Sequence, residues 1–250
     1  MEAQGILFLF LLFAVAFLYS SVGHGGASGY LALMGLYHFS PEVMKPSALI
    51  MNIVVSLMAF YQYSRTTSLK QKLFFLLVAG SVPAAFLGAR VGLDVLLYKK
   101  ILAFILLFPV LRLLGVFGTA VTEQKNFNPY LAVIMGFIIG CISGMIGIGG
   151  GIILSPVIIF LGWADVKEAA TISSLFIFLN SASGLFSLVT KGITIEPAIY
   201  LWVSIAVAGG IVGAWYGSRK FGNTVLKKIL GVVLLIAAAK LMTEKNDWGK

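Results

Sequence analysis

The chain has 250 residues, of which 60% are hydrophobic and 11% charged, and its mean hydropathy is +1.01. A water-soluble domain carries about 45–50% apolar and about 25% charged residues, so a soluble globular fold is excluded and an integral membrane protein is expected. The formal charge of +9 does not point to nucleic acid, because Arg65, Lys70, Lys72, Lys99, Lys100, Arg219, Lys220, Lys227 and Lys228 stand at the ends of apolar segments, where loops and lipid headgroups take them.

Apolar stretches run over 5–22, 26–38, 47–63, 73–93, 96–117, 129–146, 151–162, 170–189, 197–217 and 224–242. At about 1.5 Å per residue, about 20 residues cross about 30 Å of hydrocarbon. The stretches at 26–38 and 151–162 are too short for this. Each directly follows a glycine run, which suits half-helices that meet near mid-membrane. The expected fold is therefore all-α, with eight full transmembrane helices and two short half-helices in one multi-pass transport domain, 1–250. The first stretch is read as a mature helix, since Met1-Glu2-Ala3-Gln4 lacks the basic region of a signal peptide. The loops at 63–72, 112–129 and 218–228 are assigned to the cytoplasmic side by their Lys and Arg content, which leaves Lys99 and Lys100 outside. The lone Cys141 offers no intrachain disulfide.

The chain matches itself. Ser21-Val22-Gly23-His24-Gly25-Gly26 answers to Met145-Ile146-Gly147-Ile148-Gly149-Gly150-Gly151, Leu87-Gly88-Ala89-Arg90-Val91-Gly92 to Val212-Gly213-Ala214-Trp215-Tyr216-Gly217, and Lys99-Lys100-Ile101-Leu102 to Lys227-Lys228-Ile229-Leu230, all in the same order. Two related halves are expected, repeat 1 at about 5–117 and repeat 2 at about 129–242, joined near Glu123-Gln124-Lys125-Asn126. An odd number of crossings per half makes the repeats inverted and an even number parallel; the sequence leaves both open, and inversion is favoured because the short segments can bring each half to five.

Irregular backbone survives in a bilayer only where protein or a water-filled cavity satisfies its polar groups, so paired breaks in two repeats mark a central transport site. Gly23, Gly25 and Gly26 in the first break, and Gly147, Gly149, Gly150 and Gly151 in the second, let a ligand approach the main chain. The helix starts beyond them present amide N–H groups that favour an anion. The same glycines would also serve close helix packing. His24 is the histidine inside an apolar segment. It is read either as an anion ligand, with proton coupling open, or as a histidine bonded to a backbone carbonyl; Ile148 stands in its place in the second half. Small polar residues open the next helix of each half, and Asn52, Ser173 and Ser174 are the candidates for the site. Pro46 and Pro156 are expected to shape helix ends, and Arg90 to lie near an interface.

The Gly-x-Gly-Gly-Gly run at 147–151 with Pro156, the helix opening Ala170-Thr171-Ile172-Ser173-Ser174, and the diverged first copy at Gly23 to Gly26 resemble the TauE/SafE family of sulfite and organosulfonate transporters. The resemblance extends over nearly the whole chain, with His24 and Ile172 as departures from the family pattern. It implies a polytopic carrier of sulfite, sulfoacetate or related anions.

The expected function is a secondary transporter exporting a small sulfur-containing oxyanion across the cytoplasmic (inner or plasma) membrane by alternating access around the glycine breaks. Its partners would be the anion and membrane lipids, without nucleic acid; a homodimer stays open. No cofactor or metal is expected, and no Walker sequence supplies ATP. A channel or carrier for another ion is the alternative. An intramembrane enzyme fits less well, for neither His-Glu-x-x-His nor Gly-x-Ser-x-Gly occurs.

Overall fold

The structure, a computed structural model, describes residues 2–113 and 125–219. Among these residues there are nine helices and no strand: α1 (Glu2–Ser20), α2 (Ala27–Leu36), α3 (Pro41–Ser64), α4 (Gln71–Arg90), α5 (Val95–Leu113), α6 (Pro129–Ile146), α7 (Gly151–Phe160), α8 (Val166–Val189) and α9 (Ile199–Arg219). Five of them, α3, α4, α6, α8 and α9, are long and apolar enough to cross a membrane. The expected stretch 224–242 and most of the loop joining the halves lie outside the described residues.

Large apolar side chains point outward around the bundle, among them Phe10, Phe75, Phe104, Phe137, Phe186 and Leu201, each more than half exposed. Such a surface is tolerated where hydrocarbon rather than water is the solvent.

Helices α3 and α8 start earlier than the apolar pattern suggests, because their first turns are polar. The Asp165 carboxylate accepts from the N–H groups of Lys167 and Glu168 at 2.8 Å, and Glu168 accepts from Asp165 N–H at 2.8 Å, a complete capping box. Pro41 occupies the first turn of α3, where its missing N–H costs no hydrogen bond. The early start leaves Pro46 inside α3, and Pro156 lies inside α7, rather than at helix ends, correcting the sequence expectation. Each ring faces a carbonyl of the first turn, where the chain can still tilt to avoid it.

Small residues set the closest packing. On α6, Gly136, Gly140 and Gly144 bring the backbone against the carbonyls of Leu77, Ser81 and Ala85 on α4. On α9, Gly209, Gly213 and Gly217 do the same against Phe13, Phe17 and Ser21 of α1 and its end. A side chain at any of these positions would strike backbone, so this four-residue spacing permits main-chain contact between parallel helices. Gly88 abuts the carbonyl of Cys141, and Gly213 that of Phe17. The internal sequence match pairs Gly88 with Gly213, so the two matched glycines each abut a carbonyl of a neighbouring helix.

At the centre, α3 packs on α8 and α9, while α8 packs on α3 and α4. Ser183 and Ser187 of α8 donate to the carbonyls of Val82 and Phe86 on α4 at 2.7 and 2.8 Å, so these two helices run parallel. The Lys70–Glu168 ion pair, 3.0 Å, ties their starts together. Lys45, near the start of α3, instead reaches Ala89, at the end of α4; α3 therefore runs antiparallel to both. Helices α2 and α7 each have 10 residues, and α3 and α8 each have 24.

Candidate substrate site

Both glycine runs are breaks between a long and a short helix. Gly26 and Gly150 are the N-caps of α2 and α7, both in the left-handed region, with φ of 100° and 78°. An L-residue with a Cβ is disfavoured there, so glycine lets each chain reverse within a few residues.

The breaks converge on one residue. Asn52, at the middle of α3 and fully buried, accepts at Oδ1 from the N–H of Ala27, the first residue of α2, at 3.0 Å. Its Nδ2 donates to the carbonyl of Ile148 in the second break at 3.2 Å and to Ser181 Oγ on α8 at 3.3 Å. Gly25 faces Asn52 Oδ1, and a Cβ on Gly149 would fall 2.6 Å from Asn52 Nδ2. Ile177 of α8 touches Gly25, Gly149 and Gly151. One side-chain amide thus links the two breaks, and an oxygen acceptor already stands at the start of α2, where a bound oxyanion would draw the same N–H.

His24 makes a second crossing. Its Nδ1 lies 2.9 Å from the carbonyl of Val22, and its Nε2 lies 3.1 Å from both the carbonyl of Gly151 and Ser155 Oγ. Ser155 Oγ in turn lies 2.7 Å from Ser173 Oγ. The carbonyl reading of His24 and the site reading of Ser173 therefore meet in one buried chain that runs from the first break through α7 to α8. Ser174 is buried beside it, yet its hydroxyl donates to Thr171 O within its own helix, 2.9 Å away, and does not reach the breaks.

The outer glycines of the two breaks each pack near the start of a long helix. A Cβ on Gly23 would meet that of Ala170 on α8 at 2.5 Å, and one on Gly147 would meet Lys45 Cγ on α3 at 2.9 Å. Arg90 closes α4 at the exposed surface, with its guanidinium 4.6 Å from the Phe86 ring centroid.

Three polar residues join the site that sequence reasoning did not select. Ser155 sits in an otherwise apolar short helix beside Pro156, and that isolation was its signal. Ser181 lay within a polar row that gave no reason to prefer it. Tyr30 is fully buried, and its hydroxyl has no hydrogen-bond partner although the ring end lies against Gly26. Nothing in the sequence distinguished it from the other aromatic residues. Among the described residues no three His, Cys, Asp or Glu side chains gather as metal ligands.

Residues 7–241 match the family model described as Sulfite exporter TauE/SafE. A probable membrane transporter protein, y4hK, of Sinorhizobium fredii is 31% identical over 97% of this chain and its own full length. Another, YdhB of Bacillus subtilis, is 22% identical over 94% of this chain and 97% of its own. Sulfite exporter TauE/SafE family protein 1 of Arabidopsis thaliana is 24% identical over 48% of this chain and 28% of its own. No solved structure matches the chain significantly. With a multi-pass apolar fold, paired glycine breaks and a family match over nearly its entire length, the chain belongs to the TauE/SafE sulfite exporter family of membrane transporters.

Proposed function

We propose that this protein is a secondary transporter that carries a small sulfur-containing oxyanion, sulfite or an organosulfonate, out of the cell across the cytoplasmic membrane. The observation that carries the reading is the meeting of both breaks at Asn52. The amide oxygen of Asn52 occupies the α2 helix start that would hold an anion, and its Nδ2 ties down the backbone of the other break. In this occluded arrangement the substrate enters by displacing the Asn52 amide, which frees the two breaks from each other.

Alternating access then follows from two inverted repeats, about 5–117 and 129–242, of five crossings each, with eight full spans in all. Supporting this are the equal lengths of α2 and α7 and of α3 and α8, the antiparallel course of α3 and α8, and the matching contacts of Gly23 with Ala170 and of Gly147 with Lys45. Bundles related in this way rock about a shared site without opening a continuous pore. His24 links the first break to the carbonyl of Gly151, so its protonation would alter the contact between the repeats; this is the route by which a proton gradient would couple.

The test is flux of labelled sulfite, sulfate, thiosulfate and sulfoacetate into proteoliposomes, with and without a pH gradient, for the parent and His24→Ala. Sulfite or sulfoacetate uptake above that of empty liposomes is expected. A gradient-dependent component should be missing from His24→Ala. Absence of flux for all four anions overturns the reading, and equal gradient response in parent and variant removes the coupling role of His24.

A further inference from the structure

A cavity of about 200 Å³ opens where α3 begins and where α4 and α8 end; its lining includes Glu42, Lys45, Ala89, Tyr98, Met145 and Lys191. At about 30 Å³ per liquid water, it has room for one small oxyanion with part of its hydration shell. Two ammonium groups against one carboxylate leave the lining net positive.

Lys45 connects this cavity to the breaks. Its stem lies against Gly147, the residue that ends α6, and Tyr98 of the same lining donates to the carbonyl of Ile146 at 2.9 Å. The Lys45 ammonium reaches Ala89 O only at 3.5 Å, the long limit of a hydrogen bond, and an ammonium has three donors to place. Among the described residues no carboxylate lies within ion-pairing distance of it. A charged group within a span is costly and is retained where it meets a ligand or pathway. The residue in the corresponding contact of the other half, against Gly23, is Ala170, so packing at this kind of junction needs no lysine. Lys191 adds a second positive charge to the lining, held from behind by the carbonyl of Arg90.

We propose that this cavity is an oxyanion-binding vestibule on one face of the membrane, with Lys45 as the counter-charge that holds the anion beside the second break before it passes inward. The inference rests on the transport reading above and adds a binding site to it on one side. Its ligand class is the small oxyanion, with sulfite as the probe.

The experiment measures the half-saturation concentration for sulfite presented separately at each face of oriented proteoliposomes, for parent, Lys45→Met, Lys45→Arg and Lys191→Met. Labelling of Val91→Cys, which is exposed at the cavity mouth, by a membrane-impermeant maleimide identifies the cavity face. Lys45→Met should raise half-saturation about tenfold at that face, as expected for loss of one charge-assisted contact, and by less than about twofold at the other. Lys45→Arg should restore most of the affinity, and Lys191→Met should give a smaller rise, again on the cavity side only. Unchanged half-saturation at the cavity face in Lys45→Met, or an equal rise at both faces, overturns the vestibule while leaving the transporter reading in place. A parent that moves no sulfite from either face overturns the transporter reading itself. Lys45→Arg flux and monodisperse gel filtration of Lys45→Met guard against a folding defect.

Discussion

The two glycine breaks share a backbone and differ in chemistry. At the first, His24 joins Ser155 and Ser173 in a buried polar chain. At the second, Ile148 stands in the place of His24 and is buried in one cluster with Leu31 and Ala48. The same contrast holds where the outer glycines pack, Ala170 against the first break and Lys45 against the second. Two short helices that both start at a left-handed glycine therefore carry a histidine–serine chain at one break and a lysine against the other.

The largest effect is expected at Asn52, the residue that both junctions share. Asn52→Leu leaves Ala27 N–H and the carbonyl of Ile148 without their present partner in a fully buried site, at about 1–3 kcal/mol for each orphaned group. Thermal unfolding in detergent should show a clear loss of stability, and sulfite flux should vanish. A variant with parental stability and flux would mean that the breaks are held together without this amide.

Exchanging the chemistry of the two breaks comes next. Ile148→His puts an imidazole into the cluster that holds Leu31 and Ala48, and burial of a polar group without partners costs about 1–3 kcal/mol in proteins. His24→Ile removes a polar group and leaves the two serines bonded to each other, so it should cost less stability while lowering flux by about tenfold, the equivalent of about 1.4 kcal/mol. The contrast drawn above requires that the two substitutions rank in opposite order in unfolding and in flux assays. Equal destabilisation by both would show that the second break is as polar in practice as the first.

The backbone half of the comparison is tested by Gly26→Ala and Gly150→Ala. Both residues hold left-handed angles, which cost an L-residue about 1–2 kcal/mol. Each added Cβ also meets close neighbours, the Tyr30 ring at 2.6 Å in one case and Ile139 and Phe176 at 2.9 Å in the other. The two variants should lose similar stability, measured side by side by thermal unfolding. A several-fold difference in their effect would mean that one break is not held to the same backbone geometry as the other.

Much of this architecture was legible before any coordinates. Hydrophobic run length located all nine described helices, and the two short ones were singled out because too few apolar residues followed each glycine run to cross a bilayer. The boundaries of α3 and α8 were missed by several residues, since capping by Asp165 and Pro41 is polar chemistry that an apolar count passes over. Gly25, Gly149 and Asn52 were singled out from the sequence and the structure brings them together, but the reason for Asn52 was not legible. Its role depends on α3 crossing α8 at that residue, a long-range contact with no local signature. Lys45 went unselected for the same reason. It reads as a segment-end lysine until Gly147, far along the chain, is seen against its stem.

The smallest expected effect belongs to Ser155→Ala, which probes how the polar chain at the first break is divided. Ser155 is the middle link, 3.1 Å from His24 Nε2 and 2.7 Å from Ser173 Oγ, and its loss removes both contacts at a net cost of about 1 kcal/mol each at most. His24 would keep the carbonyl of Gly151 at 3.1 Å, so the ring should stay in place and the protein should remain folded with a small drop in unfolding temperature. Ser155→Ala should therefore change maximal sulfite flux by less than about threefold. A loss of flux as large as that of His24→Ile would show that the ring is held by Ser155 rather than by the carbonyl of Gly151.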